Sequence, residues 1–145
     1  MKRSVVLDTH ILIAYLRGTL GGVGKPSSLL RVVTSAEADR GLLVSAATFW
    51  EIELIRRHPR NDLRALPATD DLVWLLRSKG VATAPITPEL AVRAVRLLDE
   101  GFHKDPMDQF ITATAIKEGS ILATRDRAIR RWAEENGKPE LAPMD

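Results

Sequence analysis

The stretch Val5-Val6-Leu7-Asp8 decides the fold class of this sequence. A short β-branched run that leads directly into an acid is typical of a strand buried on both faces, as in a parallel sheet. Apolar residues then recur at helical spacing and predict a helix whose apolar face holds Ile11, Leu12, Tyr15 and Leu16. Gly18 and the run Gly21-Gly22-Val23-Gly24 predict the end of this helix.

The same order of strand and helix recurs along the rest of the chain. Short apolar runs predict three more strands, at residues 42–44, 81–84 and 121–123. Caps, prolines and glycines bound six further helices, at residues 27–40, 45–57, 69–79, 87–101, 105–119 and 126–136. This alternation predicts an α/β fold with a parallel sheet covered by helices on both faces. Because no repeat or linker interrupts the pattern, we expect residues 1–145 to form a single domain.

Two expectations concern the side chains of the core. In the helix at residues 87–101, the apolar stripe is predicted to consist of Ala91, Ala94, Val95 and Leu98. Four aromatic side chains are predicted to be buried rather than to form a platform for stacked bases: Tyr15, Trp50, Trp74 and Trp132.

Composition excludes several classes of protein. The 145 residues are 45% hydrophobic and 28% charged, which is ordinary for a globular domain. The absence of cysteine excludes disulfides and thiolate metal sites. No apolar run is long enough to cross a membrane, and the apolar part of the N-terminal segment is too short for a signal peptide, so a cytoplasmic protein is expected. A net charge of +2 does not by itself indicate a nucleic-acid-binding protein.

Acidic residues follow several of the predicted strands. Asp8 ends the first strand, Glu51 lies two turns into the helix after the second, and Asp126 follows the strand at 121–123. Asp105 and Asp108 open the helix that leads to that last strand. Because functional groups of open α/β sheets gather at the carboxyl ends of the strands, these acids are candidates for one site. Clustered carboxylates favour a hard divalent cation such as Mg²⁺ or Mn²⁺, and paired ions of this kind can activate water for phosphodiester cleavage.

Each acid also has a purely structural interpretation. Asp105 before Pro106 suits a helix N-cap, Asp108 suits the helix dipole, and Asp126 is a plausible cap for the last helix. Glu53 follows Glu51 by two residues and therefore projects from a different face of the same helix. The local sequence leaves open which of these two serves a site.

Four fragments together resemble the PIN-domain ribonucleases of the VapC toxin type. The matching fragments are Leu7-Asp8-Thr9-His10, residues 45–52 with Trp50-Glu51, residues 103–111 with Asp105-Pro106-Met107-Asp108, and Leu122-Ala123-Thr124-Arg125-Asp126. They span almost the whole chain in the order that the family shows. The chain departs from the usual pattern at Met107 and Gln109, where relatives have Phe and Arg.

The resemblance implies a three-layer α/β/α domain and Mg²⁺- or Mn²⁺-dependent endonucleolytic cleavage of RNA. It implies four catalytic, metal-holding acids, which are Asp8, Glu51, Asp108 and Asp126. Candidates for supporting these acids or contacting the substrate are Asp105, Thr9, Thr124 and Arg125. The resemblance also implies a cognate VapB-type antitoxin and a homodimer.

Basic residues form two clusters that are candidates for steering RNA phosphates, although surface charges of this kind are often only solvated. One cluster is Arg56, Arg57, His58, Arg60 and Arg64, and the other is Arg125, Arg127, Arg130 and Arg131. His10 and His103 have no histidine partner at ligand spacing, so they are interpreted as packing or supporting groups.

Two other functions remain open at this point. Asp8 could accept a phosphoryl group in an aspartate phosphotransferase, although the second acid that such enzymes need nearby is replaced by His10. A non-catalytic module that binds nucleic acid or protein would use the acids only as helix caps.

Overall fold

The computed structural model describes residues 3–21 and 27–144. Within these residues, four short strands are β1 (Val5–Leu7), β2 (Leu42–Ser45), β3 (Ala82–Ala84) and β4 (Ile121–Ala123). All pair in parallel, in the order β3-β2-β1-β4. The four predicted strands and the parallel sheet are therefore confirmed.

The helices alternate with the strands as the sequence predicts. They are α1 (Thr9–Arg17), α2 (Ser28–Ala38), α3 (Ala46–Arg56), α4 (Thr69–Ser78), α5 (Pro88–Arg96), α6 (Pro106–Glu118) and α7 (Arg127–Asn136). Two single 3₁₀ turns, Leu63–Ala65 and Leu97–Glu100, follow α3 and α5. Gly18 ends α1 in the left-handed conformation at φ 69°, as expected of a glycine beyond the last turn. Gly22, Val23 and Gly24 of the predicted helix stop lie outside the described residues.

The sheet is buried on both faces, which produces three layers. Val5 and Leu7 pack into one core with residues of α1, α2, α3 and α4, whereas Val6 between them packs into a second core with residues of α5, α6 and α7. Successive strand side chains point to opposite faces, so a strand without polar residues needs a helical layer on each side. The α/β/α architecture follows from the apolar character of all three residues of β1.

The strand order creates a switch point between β1 and β4. From β1 the chain moves outward to β2 and β3, and it then returns across the sheet to place β4 on the other side of β1. Leu7 and Ala123 are paired in register, and the amide of Asp8 donates to the carbonyl of Ala123 at 3.1 Å. The residues that leave these two strands therefore start from adjacent points at the carboxyl edge, where open α/β sheets bind ligands.

The predicted apolar stripe of α5 was right for Ala94 and wrong for Val95 and Leu98. The buried residues are Leu90, Ala94 and Leu97, whereas Val95 and Leu98 are 59% and 40% exposed. Both sets have helical spacing and share Ala94, so periodicity alone does not separate them. Leu90, Ala94 and Leu97 face the core, because a set with a leucine at each end buries more apolar area than a stripe that begins with Ala91.

The predicted burial of the aromatic residues was right for Trp132 and wrong for Trp50 and Trp74. Trp132 is buried, and Tyr15 packs partly buried against the first core. Trp50 and Trp74 are 59% and 68% exposed. Each lies two residues from the buried positions of its own helix, Ile52 in α3 and Leu76 in α4, and therefore about 200° away around the helix.

None of the helices in residues 3–21 and 27–144 is both long enough and apolar enough to cross a membrane.

Candidate active site

A pocket of about 340 Å³ opens at the carboxyl edge of the sheet, around the switch point. Its lining is Asp8, Thr9, His10, Glu51, Asp105, Asp108, Ile111, Arg125 and Asp126. The structure thus brings together all five candidate acids, which are separated by up to 118 positions in the sequence. Of the other predicted site residues, Thr9 and Arg125 line the pocket, and Thr124 lies directly beneath it as a partner of Asp8.

Asp8 lies at the base of the pocket and is 7% exposed. It caps α1, because its Oδ1 accepts a hydrogen bond from the amide of Ile11 at 2.9 Å, and its Oδ2 accepts one from the hydroxyl of Thr124. Burial raises the pKa of Asp8 above its ordinary value, and the negative charge of Asp126 adds to this, while the two hydrogen bonds and His10 oppose it. The fold therefore holds this carboxylate where ionisation is costly without a compensating cation.

Thr124 connects two of the acids through one hydroxyl group. It donates to Asp8, and its oxygen accepts from the backbone amide of Asp126 at 3.0 Å. Asp126 in turn caps α7 by accepting from the amide of Ile129 at 2.9 Å. The residues after β4 are thereby fixed relative to Asp8, the residue that follows β1.

Asp108 lies in the first turn of α6, whose start is fixed by another acid. Asp105 caps this helix, since its Oδ1 accepts from the amides of Met107 at 2.9 Å and Asp108 at 3.3 Å. The cap role that the sequence predicts for Asp105 is confirmed, and the same residue lines the pocket. Burial, together with the charges of Asp105 and Asp126, raises the pKa of Asp108 to about 6, despite the opposing effect of His103.

Of the two glutamates of α3, only Glu51 lines the pocket. Glu53 lies elsewhere: its Oε1 accepts from the hydroxyl of Thr69 at 2.9 Å, and its Oε2 forms an ion pair with Arg57 at 3.1 Å. Glu53 therefore ties α3 to the start of α4. The two side chains leave the helix in different directions, so that Glu51 reaches the pocket and Glu53 does not.

Several members of the basic clusters have structural roles. Arg56 donates to the carbonyls of Leu63 and Pro67 and orders the segment after α3. Arg130 donates to the carbonyls of Thr124 at 2.8 Å and Ala142 at 3.1 Å. These contacts do not favour phosphate steering by either residue. Arg125, in contrast, is exposed and lines the pocket.

The two histidines lie closer to the acids than sequence reasoning indicated. His10 lines the pocket, and Nε2 of His103 lies 2.7 Å from Oδ2 of Asp108. Ligand atoms of His103, Asp108 and Asp126 all lie within 4.8 Å of one another. A rule based on paired histidines misses both residues, because their neighbours in space are carboxylates.

The donor set suits a hard divalent cation. The pocket is lined by five carboxylates, and the pKa values of Asp8 and Asp108 are raised by burial and by neighbouring negative charge. A divalent ion would relieve both effects, and oxygen ligands are those that Mg²⁺ and Mn²⁺ prefer. The residues present therefore fit such an ion.

Comparisons with known proteins agree with the fold and the order of the fragments. The family model described as PIN domain matches residues 5–135. Ribonuclease VapC22 of Mycobacterium tuberculosis is 35% identical over 130 residues, which are 88% of this chain and 90% of the relative.

Solved structures with the same fold include FitAB bound to an IR36 DNA fragment, with a TM-score of 0.58, 20% identity and coverage of 94% of this chain and 92% of that one. They also include a toxin–antitoxin complex from Klebsiella pneumoniae, with a TM-score of 0.56, 21% identity and coverage of 85% and 87%. The expected α/β/α fold and the resemblance to the family are thereby confirmed. With a family model matched over most of its length and a relative of this identity, the chain belongs to the PIN domain family.

Proposed function

We propose that this protein is a metal-dependent endoribonuclease and the toxin of a VapBC-type toxin–antitoxin pair. The observation that supports this most strongly is the convergence of Asp8, Glu51, Asp108 and Asp126 on one open pocket at the switch point of the sheet. The relative of 35% identity is named as a ribonuclease, which favours RNA as the substrate class.

The four acids would hold one or two Mg²⁺ or Mn²⁺ ions. When bound, such an ion neutralises charge on the phosphate and lowers the pKa of the attacking water. Other residues of the chain hold the acids in place before an ion binds. Three of the acids that line the pocket, Asp8, Asp105 and Asp126, are also helix caps, so their side chains are held by backbone amides.

Arg125 and Thr9 are proposed to contact the substrate or support the acids. Arg125 is exposed at the pocket and offers positive charge to a phosphate that the acids would otherwise repel. Thr9 is buried, lines the pocket next to Asp8, and donates to the hydroxyl of Thr48 at 3.4 Å, which joins the start of α1 to α3.

An antitoxin protein and a second copy of this chain are the proposed partners. The Klebsiella structure of the same fold is a toxin–antitoxin complex. The chain also exposes large apolar side chains in groups rather than singly, with Trp50 and Leu54 on α3 and Val92 and Val95 on α5. Grouped apolar side chains on a surface are typical of protein contacts.

The two alternative functions have less support. Both carboxylate oxygens of Asp8 accept hydrogen bonds within the protein and the side chain is 7% exposed, which disfavours it as a phosphoryl acceptor. A pure binding module would not require five carboxylates in one pocket, two of which, Asp8 and Asp108, have pKa values raised by burial and by neighbouring negative charge.

The test is cleavage of a labelled single-stranded RNA by the purified chain. Internal cuts are expected with Mn²⁺ or Mg²⁺ and are expected to disappear in excess EDTA and in Asp8→Asn. Asp70→Asn, which changes an exposed acid of α4, is the matched control and should cut at the rate of the parent protein. Undiminished cleavage by Asp8→Asn or in EDTA would contradict the proposed mechanism.

A further inference from the structure

Asp108, which lines the pocket, has a hydrogen-bond partner, His103, to which the four-acid site assigns no role. The two atoms, Nε2 and Oδ2, are 2.7 Å apart, and the side chains are 32% and 22% exposed. His103 precedes α6, whereas Asp108 lies within its first turn. The pair therefore closes a short loop around the cap formed by Asp105.

The ring of His103 is held from behind by the core. It stacks on Phe102 with ring centroids 4.3 Å apart and planes inclined by 20°. Phe102 is itself buried and meets the edge of Trp132 at 5.1 Å. These two contacts fix the plane of the imidazole relative to the second core.

The backbone of His103 is held by Gln109. The side-chain amide of this buried residue donates to the carbonyl of His103 at 3.0 Å. Gln109 stands where relatives of the PIN type usually have Arg, so this chain uses a neutral amide at that position. His103 is thus restrained at its ring, by Phe102, and at its backbone, by Gln109.

The surroundings of Asp108 explain why such a restraint matters. Asp105 and Asp126 act on it as like charges, which favour movement of its carboxylate away from theirs. A donor fixed to one carboxylate oxygen opposes this movement and sets the carboxylate plane. Partners of this kind around metal ligands typically change metal affinity by about 10- to 100-fold.

We propose that His103 is a positioning residue, which orients Asp108 for a divalent ion without binding the ion itself, and that Phe102 and Gln109 hold His103 for this task. The inference rests on the proposed metal site. Direct ligation by the ring is the competing interpretation, because ligand atoms of His103, Asp108 and Asp126 lie within 4.8 Å. Positioning is favoured because Nε2 of the ring is already hydrogen-bonded to Oδ2 of Asp108.

The two roles predict different metal selectivity. Imidazole is a better ligand for Mn²⁺ than for Mg²⁺, whereas an oriented carboxylate serves both ions. If His103 acts through Asp108, removal of its side chain should weaken the binding of both ions by the same factor. If the ring is a ligand, removal of the side chain should weaken the binding of Mn²⁺ much more than the binding of Mg²⁺.

The experiment is a calorimetric titration of the metal-free full chain with Mn²⁺ and, separately, with Mg²⁺. His103→Ala is expected to raise both dissociation constants about 10-fold or more, with the Mn²⁺ to Mg²⁺ ratio unchanged within about twofold. His103→Gln should recover most of the affinity, since its amide reaches a similar distance to donate. Gln109→Ala should cause a smaller loss of affinity for both ions, and Lys117→Ala, which changes an exposed side chain in the last turn of α6, should cause none.

Each other outcome has a definite meaning. A loss of affinity confined to Mn²⁺ would show that the ring is a ligand and would overturn the positioning role. Unchanged affinities for both ions would show that His103 is a packing residue only, which also overturns that role. If the parent protein bound neither ion, the proposed metal site would fail and this inference with it. Should His103→Ala not fold, as judged by circular dichroism, His103→Gln and Gln109→Ala together with the parent protein decide the question.

Discussion

The hydroxyl of Thr124 illustrates how much of the pocket depends on single side chains. It is 2% exposed and bridges the carboxylate of Asp8 and the backbone amide of Asp126. Removal of the hydroxyl would take away both of these hydrogen bonds at a buried position. Stability and acid geometry are therefore coupled at this residue.

Thr124→Val is expected to destabilise the protein by about 1–3 kcal/mol, because it leaves a buried carboxylate oxygen without its donor. Urea unfolding of the metal-free protein measures this change. Thr124→Ser keeps the hydroxyl and should stay within about 1 kcal/mol of the parent protein. Equal stability of the valine variant and the parent would show that the bridge contributes nothing.

Asp108 is expected to make the metal-free protein less stable as pH rises from about 4 to about 6. Its pKa is raised to about 6 in the folded state from an ordinary value of 3.8, so the folded state retains a proton that the unfolded state releases. The free energy of unfolding falls with pH wherever the folded state binds more protons. At pH 7 the cost of ionising Asp108 in the folded state is fully present.

Asp108→Asn should therefore stabilise the metal-free protein at pH 7, by about 1–2 kcal/mol after allowance for its partial exposure. It should also flatten the pH dependence of stability between about pH 4 and pH 6. Thermal unfolding in EDTA across this range provides the measurement, with Glu134→Gln on the exposed face of α7 as the control. A variant less stable than the parent at pH 7 would contradict this account.

Helix starts are the elements from which the site is built. α1, α6 and α7 each begin with an aspartate cap, and all three caps line the pocket. The positive ends of these helices lie near the carboxylates and lower the cost of gathering them. The structural and functional interpretations of Asp105 and Asp126 are therefore compatible, since a cap can hold an acid in place for a metal.

The corrected face of α5 can be tested with two adjacent leucines that follow it. Leu97 is 6% exposed and Leu98 is 40% exposed, although the sequence predicts Leu98 as the buried one. Leu97→Ala should cost about 2–4 kcal/mol in the free energy of unfolding, and Leu98→Ala less than about 1 kcal/mol. Chemical denaturation of both variants checks this. A larger loss of stability in Leu98→Ala than in Leu97→Ala would support the stripe that the sequence predicts.

At the scale of the whole molecule, local sequence predicts the elements well and their arrangement only in part. The strands, the helix caps and the acids after the strands are local patterns, so they can be found in the sequence. The convergence of Asp8, Asp108 and Asp126 depends on the strand order β3-β2-β1-β4, which no local pattern encodes. Before the structure, the positions of the acids after the strands made them candidates for one site, and the resemblance to a known family indicated which of them belong together.

Three side chains have surroundings that local sequence does not predict: Trp50, Trp74 and His103. Trp50 and Trp74 are apolar residues on helix faces that the rest of the fold does not cover, so burial could not be inferred from hydrophobicity. The contact of His103 with Asp108 forms between the segment before α6 and the first turn of α6, so helical periodicity does not predict it. The single-domain organisation of residues 1–145 stays a prediction.

The proposed homodimer makes a simple prediction about mass. Light scattering coupled to size exclusion should give twice the chain mass of 16.0 kDa at micromolar concentration. A mass of 16.0 kDa at all concentrations tested would show that the chain alone is monomeric. The exposed apolar side chains of α5 would then be left for a different partner.

The central claim is that the acids lining the pocket perform the cleavage, and the two glutamates of α3 test it most directly. The measurement is the rate of Mn²⁺-dependent RNA cleavage by Glu51→Gln and Glu53→Gln, which make the same change two residues apart on one helix. Glu51→Gln should reduce the rate by about 100-fold or more, because a ligand in the pocket is lost. Glu53→Gln should stay within about threefold of the parent rate, because Glu53 only ties α3 to α4. Equal rates for the two variants, or the larger loss in Glu53→Gln, would contradict the account.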